Sequence, residues 1–253
     1  VTHLLLAVVV GFAVTQVAIA ATTVYLHRCL AHRAVALKGP VPFAFRLVLW
    51  LSTGIKPRAW AAVHRKHHAF TDTDQDPHSP AIMGWVRVQL TNPALYRRSA
   101  TDPATLDRFG KDLPADAWDR VLFDRSGLGL GIGITLLIVL LGPIWGVVAA
   151  AFHMAAYLEL SGAVNAVGHR FGRRPFENSA TNLQSLALVT GGEGLHNNHH
   201  AAPTSATFAL QRGQVDLGFW LIRALSAVKL ATVRLERPAF TRPKAPRSPQ
   251  PVG

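Results

Sequence analysis

A single cysteine, Cys29, occurs in the 253 residues. An intrachain disulfide is therefore excluded, and so is a thiolate metal site of the zinc-finger kind. Any metal bound here must be held by nitrogen or oxygen. Charge is scarce too: 16% of the residues are charged, against about 25% in a typical soluble domain. The scarcity is uneven. Val1 to Leu26 has no charged side chain, and Glu159 is the only one between Arg125 and Arg170. Apolar runs of this length reach the roughly 20 residues that cross a bilayer. The chain reads as an integral membrane protein. Val1 to Leu26 has no basic start and runs straight into functional-looking histidines, so it reads as a membrane helix rather than a signal peptide.

Acidic residues are the scarcer sign, 14 against 26 basic, for a net charge of +12. Of the basic residues, 20 are Arg. Arg28, Arg33 and Lys38, then Arg125, then Arg170, Arg173 and Arg174 flank the apolar runs. That is positive-inside bias, and it puts the histidine-bearing ends in the cytoplasm. The remaining excess suits an acidic redox carrier or a phosphate-bearing acyl carrier. No stretch interleaves basic and aromatic residues in a recognisable module, so nucleic acid is not an expected partner.

What the chain does have is histidine, 12 in all. His64, His67 and His68 fall within five residues after an apolar run. On a helix they share one face, across an arc of about 100°. His196, His199 and His200 repeat the spacing. One such cluster could be chance; two are hard to explain without metal. His27 and His32 stand about 140° apart on a regular helix and converge only where the helix breaks or widens. Asn165 and His169 are four apart and share a face. Nine histidines are too many for one ion. Two ions with four or five nitrogen ligands each is the natural count. Imidazole suits iron, zinc and copper. Structural zinc would be closed at four ligands, whereas two open iron sites would bind and reduce O2.

Asp76 and Glu193 are candidate acceptors for the outer N–H of metal-bound imidazoles. Gly191, Gly192 and Gly194 allow close approach of the backbone to the site. His78 reads as a hydrogen-bonded loop residue and His153 as a packing or hydrogen-bonding residue within the membrane. Glu159, an acid inside an apolar run, has no evident partner. The expected fold is an all-α integral membrane protein of three to four transmembrane helices with a cytoplasmic helical cap. The spans fall at about residues 3–26, 123–141 and 144–168, with an interfacial helix at 43–55. Residues 56–122 and 170–235 form the cap, within one domain covering 1–235. Residues 236–253 read as a basic, proline-rich disordered tail.

These residues resemble the membrane fatty acyl desaturases, in the branch of the stearoyl-CoA (delta-9 acyl-CoA) desaturases and their bacterial relatives. The resemblance runs from about Gln16 to Leu230. It is carried by Tyr25 to Arg28 with His32, Trp60 to His68, Asp76-Pro77-His78, Asn165 to His169, and Gly192 to His200. It implies that His27, His32, His64, His68 and His200 bind one iron. His67, His169, His196 and His199 then bind the other, with Asn165 holding a water. Trp60 and Ser161 would line the acyl tunnel. The implied reaction uses two electrons and O2 to convert adjacent CH2 groups of an acyl chain into C=C. The location implied is the inner membrane of a bacterium, with the site facing the cytoplasm.

Two departures bear on the substrate and the topology. In the stearoyl-CoA enzymes two membrane helices precede the first histidine pair, and here there is room for one. Ala61, Ala62 and Val63 stand where the animal enzymes have charged residues that help hold CoA. The acyl carrier therefore stays open between CoA, acyl carrier protein and a lipid. The 253 residues hold no fused cytochrome b5 or ferredoxin domain. Electrons are expected from a separate ferredoxin, rubredoxin or cytochrome b5 with its reductase. A related hydroxylase, acetylenase or alkene-forming decarboxylase would share the metal site. A metal transporter would instead spread its histidines along a membrane-spanning path.

Overall fold

A computed structural model describes residues 1–238. The part of the expected tail from 239 onward lies outside the described residues. Helix α1 (Thr2–Ala21) is uncharged and continues without a break into a wider stretch, Thr22–Ala31. There the hydrogen bonds close over five residues rather than four. A short strand, β1 (Val35–Leu37), follows. Helix α2 (Val41–Ser52) starts after a turn in which Gly39 takes φ +59°. Helix α3 (Pro57–Phe70) opens on proline, whose missing N–H leaves no helical bond unmade.

The polar region between the apolar runs folds as α4 (Pro80–Met83), α5 (Trp85–Ala100) and α6 (Pro103–Phe109). Asp102 caps α6 by accepting from the N–H groups of Ala104 and Thr105. Helices α7 (Ser126–Leu141) and α8 (Pro143–Ala166) form a hairpin joined through Gly142 alone. Its φ of +83° is one that glycine adopts without strain. A tight turn, Val167–His169, ends the run. Helices α9 (Gln184–Val189), α10 (His196–Ala201) and α11 (Leu217–Ala227) and strand β2 (Ala231–Val233) follow.

Two expectations change. The chain is mostly helical rather than all-α. Strands β1 and β2 pair antiparallel, with Val35 opposite Val233 and Leu37 opposite Ala231. The β-branched residues Val35, Thr232 and Val233 suit the pleated surface. Val24, Val35, Phe219 and Ile222 pack beneath this ribbon, joining the wide helix to α11. The span expected at 123–141 begins only at Ser126. At 16 residues α7 rises about 24 Å, short of a hydrocarbon core of about 30 Å. Two segments are long and apolar enough to cross a membrane, Thr2–Ala31 and Pro143–His169.

Those two segments pack on each other through small and polar groups, as membrane helices do. A Cβ on Gly11 would lie 2.6 Å from the Ala149 carbonyl oxygen. Four residues on, Thr15 Oγ1 is 3.0 Å from His153 Nδ1. Further along, Thr22 Oγ1 is 2.7 Å from Tyr157 Oη. His153 also puts Nε2 2.8 Å from the Ser52 carbonyl oxygen, so this one buried ring ties α1, α8 and α2. Glu159 finds its partner in Gln89, whose Nε2 donates to the carboxylate at 2.7 Å. Leu5, Val9 and Phe12 on α1, and Val139, Leu140 and Ile144 at the α7–α8 turn, are exposed. His3 stacks on Trp145, so these apolar ends lie side by side, away from the histidine clusters.

Candidate metal centre

The widened stretch Thr22–Ala31 does what the five-residue spacing requires. His32 N–H donates to the His27 carbonyl at 3.1 Å, and the two rings come within 4.9 Å. The same widening aligns Thr23 with Arg28, whose Nη1 donates to Thr23 Oγ1 at 2.7 Å. Helix α3 delivers His64, His67 and His68, and α10 delivers His196, His199 and His200. His169 comes from the turn after α8.

All nine histidines meet, in two groups. His27, His32, His64, His68 and His199 bring ring nitrogens within 4.8 Å of one another, and so do His67, His169, His196 and His200. The partition implied by the resemblance put His200 in the first group and His199 in the second; the structure exchanges them. The reason is helical geometry. Residues four apart diverge by about 40°, neighbours by about 100°. His64 and His68 therefore stay together while His67 points to the other centre. His196 and His200 likewise stay together while His199 crosses over. Each HxxHH cluster lends two rings to one centre and one ring to the other, in opposite senses.

The donor geometry fits two cations. A metal–imidazole bond of about 2.0–2.1 Å puts neighbouring ligand nitrogens about 2.8–3.4 Å apart. In the first group Nε2 of His27 is 3.0 Å from that of His199, and His199 is 2.9 Å from His68. His32 and His64 are 2.8 Å apart. In the second group His67 to His200 is 3.3 Å and His200 to His196 is 3.2 Å. The buried His169 Nε2 has no hydrogen-bond partner among the described residues. Burial first, then the neighbouring rings, hold His32, His64, His68, His196, His199 and His200 well below the ordinary histidine pKa. They stay neutral, with lone pairs free for metal.

Three rings are fixed from outside by carboxylates, which can only accept when ionised. Glu193 Oε2 is 2.6 Å from His27 Nδ1. Asp76 places both oxygens 3.0 Å from His67 Nδ1. Asp72 Oδ2 is 3.1 Å from His169 Nδ1. In each ring Nδ1 then carries the proton, and Nε2 is left to face the centre. Burial pushes all three carboxyls up, but the histidine partners outweigh it and hold them below their ordinary values. Asp76 and Glu193 were legible in the sequence. Nothing in the sequence separates Asp72 from the nearby Asp74. Its φ of +58°, tolerable for Asp, turns its backbone here.

His78 is buried, with its ring 4.7 Å from that of His67. Burial first, then His67, pushes its pKa down to about 3. With His67 and Asp76 it forms a third close group of donor atoms, apart from the two histidine groups. Its backbone N–H donates to Asp76 Oδ1 at 3.0 Å, while neither ring nitrogen has a hydrogen-bond partner among the described residues.

The glycine-rich turn before α10 packs against a buried ion pair that sequence reasoning missed. Arg28 is fully buried, and its Nη2 donates to both oxygens of Asp216 at 2.9 Å. Its guanidinium carbon sits 3.8 Å above the centre of the Phe208 ring. A Cβ on Gly192 (φ +102°) would come within 2.3 Å of Asp216 Oδ1. The glycine there makes room for the ion pair, not directly for the metal ligands.

A cavity of about 1190 Å³ opens beside both centres. His27, His64, His196, Asn165 and Trp60 line it, together with Ser52, Leu130, Met154, Tyr157 and Ser161. Trp60 stacks on His64 with ring centres 4.9 Å apart. A second opening, about 540 Å³ and more polar, reaches His32, His68 and His200 beside Arg65, Asn178 and Ser179. The histidine layer thus stands between two separate approaches.

The chain matches the family model described as fatty acid desaturase over residues 3–218. It is 31% identical, over 83% of its length, to the icosanoyl-CoA 5-desaturase of Limnanthes douglasii, of which it covers 59%. It is equally identical to the sn-1 stearoyl-lipid 9-desaturase of Synechocystis, covering 65% of that protein. With the delta-9 acyl-lipid desaturase 2 of Arabidopsis thaliana it shares 30%, over 68% of that protein. By this match and by its histidine pattern, the chain belongs to the fatty acid desaturase family.

Proposed function

We propose that the protein is an O2-dependent fatty acyl desaturase that introduces a C=C bond into the chain of an acyl thioester or an acyl lipid. One observation carries the reading. Nine imidazoles, grouped as two sets of nitrogen donors, stand at the head of a cavity with a largely apolar wall. The similar proteins include enzymes named for acyl-CoA and for stearoyl-lipid substrates, so both carriers stay within the proposal.

The residues would hold two iron ions, one in each group of histidines, with Asn165 holding a water beside the second. Bound iron would supply the activation of O2 and the removal of hydrogen from an unactivated CH2. The chain's own residues do the rest. Leu130, Met154 and Tyr157 seat the hydrocarbon and exclude bulk water. Trp60 and Ser161 line the tunnel, and Trp60 packs flat on His64 between substrate and centre. Glu193, Asp76 and Asp72 hold the Nδ1 protons of His27, His67 and His169. The overall change balances as two CH2 hydrogens, O2, two electrons and two protons giving C=C and two waters.

Electrons come from a separate redox protein of ferredoxin, rubredoxin or cytochrome b5 type, with its reductase. The small polar opening at His32, His68 and His200 supports their entry on the side away from the acyl chain. Residues 1–235 act as one domain in a bacterial inner membrane, with the α7–α8 hairpin inserted beside α1 and the histidine face toward the cytoplasm. The basic residues at the ends of the apolar runs support that orientation.

The test is to supply membranes holding the protein with a labelled fatty acyl substrate, O2 and a reductase system, and to analyse the lipids while quantifying iron. Zinc outcompetes Fe(II) at many nitrogen sites, so iron content must accompany activity. A new double bond that depends on O2 and iron is expected. A product that carries oxygen and no new double bond, or protein that holds metal but never consumes O2, overturns the reading.

A further inference from the structure

We propose that Arg28 and Asp216 are positioning residues for the first centre, acting through Thr23 and Glu193 on His27. The inference rests on the reading of the nine histidines as a two-metal site. It concerns residues that bind no metal themselves.

The contacts form one chain with a fixed direction. Both oxygens of Asp216 accept from Arg28 Nη2, and the other arm of the guanidinium, Nη1, donates to Thr23 Oγ1 at 2.7 Å. A hydroxyl that accepts from a guanidinium must spend its own proton elsewhere. It lies against Glu193 Oε1. Glu193 then accepts twice, from Thr23 on one oxygen and from His27 Nδ1 on the other. His27 is left with Nε2 bare toward the first centre. Each link removes one alternative proton arrangement, and the last removes the wrong tautomer of a ligand.

The chain is buried throughout. Arg28 and Asp216 expose 0% and 1% of their side chains. An unpaired charge at that depth costs several kcal/mol, so the ion pair stays closed. Asp216 is held in turn by the N–H groups of Phe208 at 2.7 Å and Phe219 at 2.9 Å. The second of these is the cap of α11. Phe208, under the guanidinium, lies 4.6 Å from the His199 ring and 5.3 Å from His27, so the pair buttresses two ligands of the first centre. Among the described residues the second centre has other supports. His67 and His169 are oriented by Asp76 and Asp72, which belong to the loop after α3. The two centres therefore answer to different supports.

That asymmetry makes the role testable against a purely structural one. The experiment uses the full-length protein in detergent, loaded with iron or zinc, with occupancy of each centre read separately by anomalous scattering at the metal edge. The variants are Asp216→Asn and the double variant Arg28→Met with Asp216→Asn; the double variant removes both members of the ion pair, so neither is left without the other. In both, affinity at the first centre should fall 10- to 100-fold, while the second centre keeps wild-type affinity. Glu193→Gln should reproduce the same selective loss. Equal loss at both centres, or no loss at either, overturns the proposal. Wild-type protein that holds fewer than two ions overturns the two-metal reading itself, and this inference with it.

Discussion

Asp72 accepts from the His169 ring across 97 positions of sequence, its Oδ2 3.1 Å from Nδ1. It joins the loop after α3 to the end of α8 and fixes the one second-centre ligand that stands outside both HxxHH clusters. Ser79 Oγ donates to the other oxygen of Asp72, so the carboxylate is itself held. Asp72→Asn replaces one acceptor oxygen by a donor NH2 and removes the charge. Second-centre metal affinity should drop 10- to 100-fold, measured by competition with a chelator of known affinity. Unchanged affinity would remove Asp72 from the support of His169.

The exchanged partners of α10 are directly testable. His199→Ala should lower occupancy at the first centre and His200→Ala at the second, read site by site from anomalous diffraction. The opposite result would restore the assignment implied by family resemblance. His67→Ala should abolish desaturation while leaving the helical signal in circular dichroism intact; a fully active variant would break the two-metal model.

Protonation should govern the stability of the metal-free protein. Six ligand rings outside the two long spans have pKa values depressed by burial and by one another. The unfolded chain takes up protons near the ordinary pKa of about 6.5, while the folded chain does not until the pH is much lower. The unfolded state thus binds more protons in that window, and stability is lost as the pH falls from about 6.5. Each ring contributes at most about 1.4 kcal/mol per pH unit. Thermal unfolding of the chelator-treated protein in detergent between pH 7.5 and 5 checks the sign. A melting temperature that rises on acidification would contradict it.

Close backbone contact between the apolar helices should tolerate no added bulk. A Cβ on Gly133 of α7 would fall 2.1 Å from the Leu51 carbonyl oxygen of α2. Gly133→Val should cost about 1–3 kcal/mol by overpacking. Thermal stability should fall while metal stoichiometry stays at two per chain. Gly131, where a Cβ would meet nothing within 4 Å, is the matched control. Equal effects at the two positions would point to helix propensity rather than packing.

Much of the site could be read from residue spacing because its geometry is local. Helical periodicity alone puts His64 beside His68 and sends His67 away. The five-residue gap between His27 and His32 demands a widened turn, and the chain forms one. Asp76 stands nine residues from His67 and Glu193 stands beside the third histidine cluster, although the ring Glu193 holds is that of distant His27. Asp72 looked no different from Asp74, because what separates them is which one meets His169, a residue far along the chain.

The sequence by itself determined that the chain is built on long apolar helices and that the middle histidine of each HxxHH cluster turns away from the other two. Those facts follow from hydropathy and from the angle between residues on one helix, which need no knowledge of neighbouring elements. Only the tertiary structure decided that His199 belongs with His27 and His200 with His67, because that depends on how α10 is rotated against α3 and the widened helix. The same holds for the pairing of β1 with β2 across the chain. It holds most plainly for Arg28 and Asp216, 188 positions apart. Nothing in the chemistry of either names the other; packing around Gly192 and Phe208 buries both charges side by side.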